Sequence, residues 1–568
     1  MNSSFFLLVR HFFGRFFDNE IVSQDTDMRT NMVQALGLIA SPGMFLPFYM
    51  IPQHVRFNHP FEHGWLLISD YYFFVVYSMI VMGLVMVFEW DALFPDRKDY
   101  LILTPLPLGG NAIFAGKVVA LVAFLGLFVI DSNFLCTLLG PLVSDRDVQA
   151  IMDPLLGQLI AAHAIAVVSA GVFVALVFAG LQGLLINVLT GRAFRRISPW
   201  VQMASMALLI SVLFLTPLMF DVLRPLFERN SPVLRYFPPF WFLALYMDLL
   251  PGQPGGLMFH DLAQLARHAL EVAAAVFVIA YLAGYRRHAR RIMESLETAG
   301  EGPGWLRAAF DRIVNRWLLP HPLERATFHF ISNTILRTAR HRLFLASYTG
   351  IAFALALPGI VKVGAKPGVP IVMLSAAGLL AIPLTLSFFA VSGLRAAFNL
   401  PAELRANWIF QVAESEERWA HISAARKWIV VMGIAPLFLL LAPFEFIFRG
   451  WALGLVHLSF ALVLSLMMLN LLLVWFRKIP FTCSYFPGKT SLAGMACVYI
   501  LSFLFYSWAM ASLEARMIRS PGELVLFYGF GILALGGLMR LEKSELVVDD
   551  SLIYEDQPDP IVRTLELS

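Results

Sequence analysis

Long stretches of this chain hold no charged residue, among them 71–88, 198–220 and 367–394. Two more, 154–191 and 450–476, hold only one histidine each, His163 and His457. A helix needs about 20 apolar residues to cross the hydrocarbon core of a bilayer. A helix also satisfies its own backbone hydrogen bonds, which lipid cannot do for it. The expectation is an all-α integral membrane protein. Composition agrees: only 14% of the 568 residues are charged, against about 25% in a soluble domain. That excludes an ordinary cytosolic enzyme, a nucleic-acid binder and a disordered chain. Cys136, Cys483 and Cys497 are too few and too scattered for a disulfide framework or a CxxC metal site.

Weaker apolar runs complete a set of twelve expected spans, near 35–52, 71–93, 118–141, 160–189, 200–222, 268–285, 343–361, 368–394, 428–448, 452–475, 492–512 and 523–540. With both termini cytoplasmic, about three quarters of the 42 Lys and Arg fall on the inner side, as the positive-inside rule requires. The domains follow: an N-terminal interfacial amphipathic helix in 1–30, a first six-span half at 31–290, a cytoplasmic linker with an amphipathic segment at 291–342, a second six-span half at 343–540, and an acidic cytoplasmic tail at 541–568. In the first of these, Phe5, Leu8, Val9, Phe12, Phe13 and Phe16 recur at helical spacing, the pattern of a helix lying in the membrane surface.

The halves share a plan. In each, the second span ends near a phenylalanine, Phe94 or Phe398, and a cytoplasmic loop runs on to a lysine, Lys117 or Lys427. Six spans per half make the repeat parallel, about an axis along the membrane normal, with a cleft between halves as the natural site. Few residues carry obvious chemistry. Asp131, His163 and Glu445 are ionisable residues within spans, which are functional candidates by default. Asp131 and His163 flank one outer loop and can form a proton-relay pair or serve as separate structural groups. His59-Pro60-Phe61-Glu62-His63 matches a zinc-hydrolase spacing, but Pro60 interrupts it and no third ligand is evident, so no metal is expected. Gly488-Lys489-Thr490 ends like a phosphate-binding loop, but Cys483 stands where its first glycine belongs.

The first cytoplasmic loop is the most informative segment. Asp96-Arg97-Lys98-Asp99 is charged, Tyr100-Leu101-Ile102-Leu103 is apolar, and Thr104-Pro105-Leu106-Pro107 is stiff, with Gly109-Gly110 beyond it. Such a piece suits a lever between spans. The pattern resembles the first cytoplasmic loop of type-2 ABC transporter permeases, the membrane subunits of many ABC exporters. The resemblance is carried by Arg97, Leu101, Leu103, Thr104, Pro105, Pro107 and Lys117, by the N-terminal helix, and by an outer segment with Pro238, Pro239 and Trp241 that is similar to the family's re-entrant hairpin. It covers residues 1–290 well; the second half matches in layout, with Asn407, Trp408, Glu414, Glu416 and Glu417 in the corresponding loop. It implies a bacterial cytoplasmic (inner) membrane permease for export. Its partners would be a cytosolic ABC ATPase dimer, which holds ATP-Mg, and the lipid bilayer; no cofactor sits in this chain, and no nucleic acid is bound. The competing readings are a proton-coupled secondary transporter using Asp131, His163 and Glu445, and a membrane-embedded enzyme or scaffold.

Overall fold

A computed structural model describes residues 2–16, 60–94, 103, 110–144, 156–228, 231–250, 257–294, 305–366, 369–374, 376–402, 407–412, 419–474, 476, 478–483 and 492–548. The chain divides into two compact units, Met1–Gly300 with Ala365–Pro370, and Glu301–Gly364 with Ile371–Ser568. Among the described residues, ten helices are long and apolar enough to cross a membrane, five in each unit. The chain is a multi-pass helical membrane protein. The span expected at 35–52 lies outside the described residues.

The first unit contains α1 (Asn2–Arg15), α2 (Pro60–Phe88), α3 (Gly110–Ser144), α4 (Leu156–Val188), α5 (Gly191–Glu228), α6 (Pro238–Leu249) and α7 (Leu257–Glu294). α4 is the hub. Its buried face runs through Ala162, Ala166, Ala170, Ala175, Ala179 and Gly183, small residues that let helices approach closely without a hydrophobic driving force from lipid. At Gly183 a Cβ would stand 3.1 Å from the Ala280 backbone of α7, so glycine sets that crossing. α1 uses its apolar stripe differently from a free interfacial helix. Leu8, Phe12 and Phe16 turn inward onto α3, where Phe16 stacks on Phe124 at 4.6 Å, while Phe6 and Leu7 stay exposed.

The second unit contains α8 (Trp305–Ile313), α9 (Pro322–Arg337), α10 (Ala339–Ile360), α11 (Ala376–Ala397), α12 (Asn407–Val412), α13 (Trp419–Ile429), α14 (Ala435–Arg449), α15 (Trp451–Leu473), α16 (Leu492–Leu504), α17 (Met510–Met517) and α18 (Pro521–Val548). π-helical turns at Val430–Ile434 and Phe505–Ala509 join α13 to α14 and α16 to α17 into long rods. The expected seventh span corresponds to α10, which opens on Arg340, His341 and Arg342 and is not among the ten.

One expectation is corrected. The charge-free run at 367–394 does not begin as helix. Strands β1 (Val361–Lys366) and β2 (Val369–Leu374) pair as a hairpin before α11 starts at Ala376. Val361, Val363, Val369, Ile371 and Val372 favour extended backbone. Lack of charge marked the run as apolar but did not distinguish strand from helix.

Candidate functional site

The first expected cytoplasmic loop springs from the end of α2, where a helix leaves carbonyls without intrahelical partners. Three other helices supply the missing donors. Gln202 Nε2 on α5 donates to Val87 O at 2.9 Å. Gln182 Nε2 on α4 donates to Trp90 O. Tyr281 OH on α7 donates to Leu93 O at 2.6 Å. Trp90 itself, fully buried in a 3-10 turn, donates its indole N–H to Ser198 Oγ on α5 at 2.9 Å. Phe94, the last described residue before the loop, stacks on Tyr281 with centroids 4.6 Å apart. The root of the loop is therefore cross-braced to α4, α5 and α7.

Of the loop residues singled out in the sequence, Arg97, Leu101, Thr104, Pro105 and Pro107 lie outside the described residues. Leu103 is buried in the same cluster as Leu8, Phe12, Phe94 and Tyr281. Lys117 is buried about two turns inside α3, its ammonium 5.0 Å from the Phe12 ring and 4.6 Å from the Phe16 ring. Loop, N-terminal helix and spans thus share one core.

The second unit repeats this arrangement with other chemistry. Lys427, at the matching place, reaches back to the amphipathic helix that precedes its half: its Nζ lies 2.8 and 2.7 Å from the two carboxylate oxygens of Glu324 on α9. Trp428 Nε1 donates to Ser332 Oγ of α9 at 2.8 Å. The loop root after α11 is held mainly by backbone bonds, with one histidine side chain. Phe481 N donates to Phe398 O at 3.0 Å, Ala402 N donates to Phe481 O at 3.1 Å, and His341 Nε2 donates to Leu400 O at 3.0 Å. Phe481 adopts φ 69°, which costs a bulky residue energy and is held there by these bonds. Beyond the root, α12 points Trp408, Ile409 and Val412 outward, while Asn407 Nδ2 donates to Thr482 O at 2.7 Å. Glu414, Glu416 and Glu417 lie outside the described residues.

Pro238 and Pro239 occupy the first turn of α6, where the missing proline N–H groups cost nothing. α6 has 12 residues; at a rise of about 1.5 Å each it is too short for a bilayer crossing. It is nonetheless buried along Phe240, Phe242, Leu243 and Tyr246 against α2, α4 and α7. Trp241 Nε1 donates to Arg235 O at 3.0 Å, and Asp248 takes Arg267 of α7 at 2.8 Å.

Asp131 and His163 do not meet. His163 pairs its Nδ1 with Tyr246 OH of α6 at 3.2 Å and packs edge-on against Phe74. The α3 residue near its ring is Gly140, about 13 Å along the helix from Asp131. Glu445 belongs to a buried cluster with His457, also singled out in the sequence, and with Arg449 and Glu514, which the sequence reading missed. Arg449 Nε lies 2.8 Å from Glu445 Oε2, His457 Nε2 lies 3.8 Å from Glu445 Oε1, and His457 Nδ1 lies 2.6 Å from Glu514 Oε1. Glu514 escaped notice because the eleventh span was expected to end at 512, whereas helix runs to Met517. Gln182 and Gln202 were overlooked as uncharged, although an amide in a lipid-spanning helix also needs a partner. No protein-family model, characterised protein or solved structure matches this chain.

Proposed function

We propose that this chain is the permease subunit of an ATP-driven exporter of the type-2 ABC class, worked by a separate cytosolic ATPase through the loop at 95–117. The supporting observation is the bracing of the loop root by Gln182, Gln202 and Tyr281. A push on a loop anchored in one helix would bend that helix; a push on this root moves α4, α5 and α7 with α2. Packing of Leu103 and Lys117 against α1 carries the same load to the interfacial helix. In this reading the chain has twelve spans in two parallel halves with both termini in the cytoplasm of a bacterium. The segment around α6 re-enters the membrane from outside, and ATP-Mg is bound by an ATPase dimer alone.

The test is co-purification followed by ATPase assay in vesicles. The chain is expected to carry an ATPase, and Thr104→Ala/Pro105→Ala and Gln182→Leu are each expected to uncouple hydrolysis from transport. Purification without an ATPase, together with unchanged transport in the loop variant, would sink the proposal.

The cluster of Glu445, Arg449, His457 and Glu514 favours a second reading, proton-coupled transport, because its histidine stands between two buried carboxylates. Transport that persists on ATP after the proton gradient is dissipated rejects it.

A further inference from the structure

The second unit holds a cavity of about 1250 Å³ between α10, α11, α15, α16 and α18. α15 and α18 touch where Phe460 stacks on Phe527 at 4.3 Å and Ser459 meets Tyr528 at 2.7 Å. Further along, residues between Leu464 and Leu472 of α15 and between Ala534 and Leu541 of α18 line the cavity. Pockets for drug-sized ligands run to about 1,000 Å³, so this one has room for a compound of several rings.

Its wall is built of rings packed on one another. Phe388 lies 5.2 Å from Tyr499, edge-on, and 5.6 Å from Tyr506, tilted, between ring centroids. Tyr348 meets Tyr499 edge-on at 6.5 Å. Such packing sets the orientation of the rings before any guest arrives. Phe505 and Tyr506 reach the wall from a π-helical turn, a distortion found often at functional sites. Met467 and Met468 add unbranched, polarisable side chains that adapt to an aromatic guest.

The polar atoms of the wall are matched to one another. Tyr499 OH meets Ser392 Oγ at 2.9 Å, and Ser392 Oγ donates to Phe388 O at 2.7 Å. Tyr506 OH lies between Ser387 Oγ at 3.1 Å and Ser465 Oγ at 3.2 Å. None of the described lining residues is Asp or Glu, so a cation finds no counter-charge. Arg395 lines the cavity but is already engaged. Its Nε donates to Leu472 O at 3.1 Å, its Nη1 donates to Asn399 Oδ1 at 3.1 Å, and its guanidinium lies 4.3 Å over the Phe476 ring, among further interactions. An anion would have to compete with these contacts. A charged guest of either sign would therefore leave water without full compensation.

We propose that this cavity is a binding site for uncharged, rigid aromatic compounds of more than one ring. Rings on such a guest meet rings on the wall, a gain beyond the area buried. A flexible alkyl chain would lose conformational freedom in the same space and make no ring contact. The assignment stands on the second unit alone and does not depend on coupling to an ATPase.

The experiment photolabels the full chain in phosphatidylcholine nanodiscs with benzophenone, an uncharged two-ring ketone that inserts into nearby C–H bonds when excited by ultraviolet light. Mass spectrometry of the digested chain locates the adducts. They are expected at Met467 and Met468, in excess over Met432, which is exposed on the π-helical turn between α13 and α14. Excess pyrene should suppress the adducts at the cavity. Pyrenebutyrate, the same rings with a carboxylate, and hexadecane, a plain alkyl chain, should not. A Cβ at Gly537, which lines the cavity, meets nothing within 4 Å. Gly537→Leu should therefore keep the wild-type melting temperature and lower labelling at Met467 and Met468 at least about tenfold. Equal labelling of Met432 and the cavity methionines, wild-type labelling in Gly537→Leu, or suppression by hexadecane or pyrenebutyrate as strong as by pyrene overturns the proposal.

Discussion

At the scale of single residues, two positions are held by reasons a hydrophobicity profile does not contain. Gly450 joins α14 to α15 with φ 76° and ψ 169°, a region open almost only to glycine. Nothing lies within 4 Å of a Cβ there, so a substitution meets backbone strain and no clash. Gly450→Ala should cost about 1–3 kcal/mol in thermal unfolding in detergent, and should loosen the Glu445–Arg449–His457–Glu514 cluster beside it. His341 stands just before the seventh expected span, buried against Phe481 with ring centroids 4.7 Å apart. Burial pushes its pKa down to about 4, and Arg340 adds to the depression, while the bond to Leu400 O opposes it. The folded chain therefore holds this imidazole neutral, and the unfolded chain takes up the proton first. Stability is full above pH 6.5 and falls by up to about 3 kcal/mol as pH drops toward 4. His341→Gln keeps a donor for Leu400 O and should flatten that part of the pH–melting curve. A curve unchanged by the substitution would refute the assignment. The sequence offered no sign of His341, because the residues that bury it come from loops distant in the chain.

At the scale of elements, the sequence spacing that paired Lys117 with Lys427 has a physical counterpart. Each lysine opens the third expected span of its half and reaches the amphipathic helix at the head of that half, Phe12 of α1 with Phe16 just beyond its end, or Glu324 in α9. Position is shared while chemistry differs, a ring face in one unit and a carboxylate in the other. Glu324 is 1% exposed and also accepts from Ser423 Oγ at 2.6 Å. Lys427→Met strands that charge and should cost about 3–5 kcal/mol. Adding Glu324→Gln should recover most of the loss, and a double-mutant cycle on melting curves measures the coupling. Additive losses would mean that the pair contributes no net interaction. Long apolar helices were legible from composition, and the proline start of α6 was legible from Pro238 and Pro239. The hairpin before α11 was not, since a charge-free run reads alike as strand or helix until its β-branched residues are weighed. The bracing at Trp90 was hidden for another reason: its partners Gln182 and Ser198 are far from it in sequence and meet it only once the helices pack.

At the scale of the whole molecule, parity decides the topology. Ten candidate spans, five in each unit, leave each unit one crossing short of returning its chain to the side on which it began. The first unit has its missing crossing to find in 35–52. The second has it in α10, whose opening Arg340, His341 and Arg342 read as an inner-face anchor before the apolar turns that follow. If α10 crosses, the β1–β2 hairpin is external, and the 295–304 segment and the acidic tail are both cytoplasmic. If α10 stays on the inner surface, the hairpin is internal and the tail is displaced to the outside, against the bias of the basic residues. A single cysteine placed at Pro367 in a chain with its three native cysteines replaced should react with a membrane-impermeant maleimide added to intact cells. A cysteine at Gly300 or Ser568 should react only after the membrane is opened. Protection at Pro367 with labelling at Ser568 from outside would remove the twelve-span reading, and with it the parallel relation between halves that places both loops, 95–117 and the one around Trp408, on the side where an ATPase works.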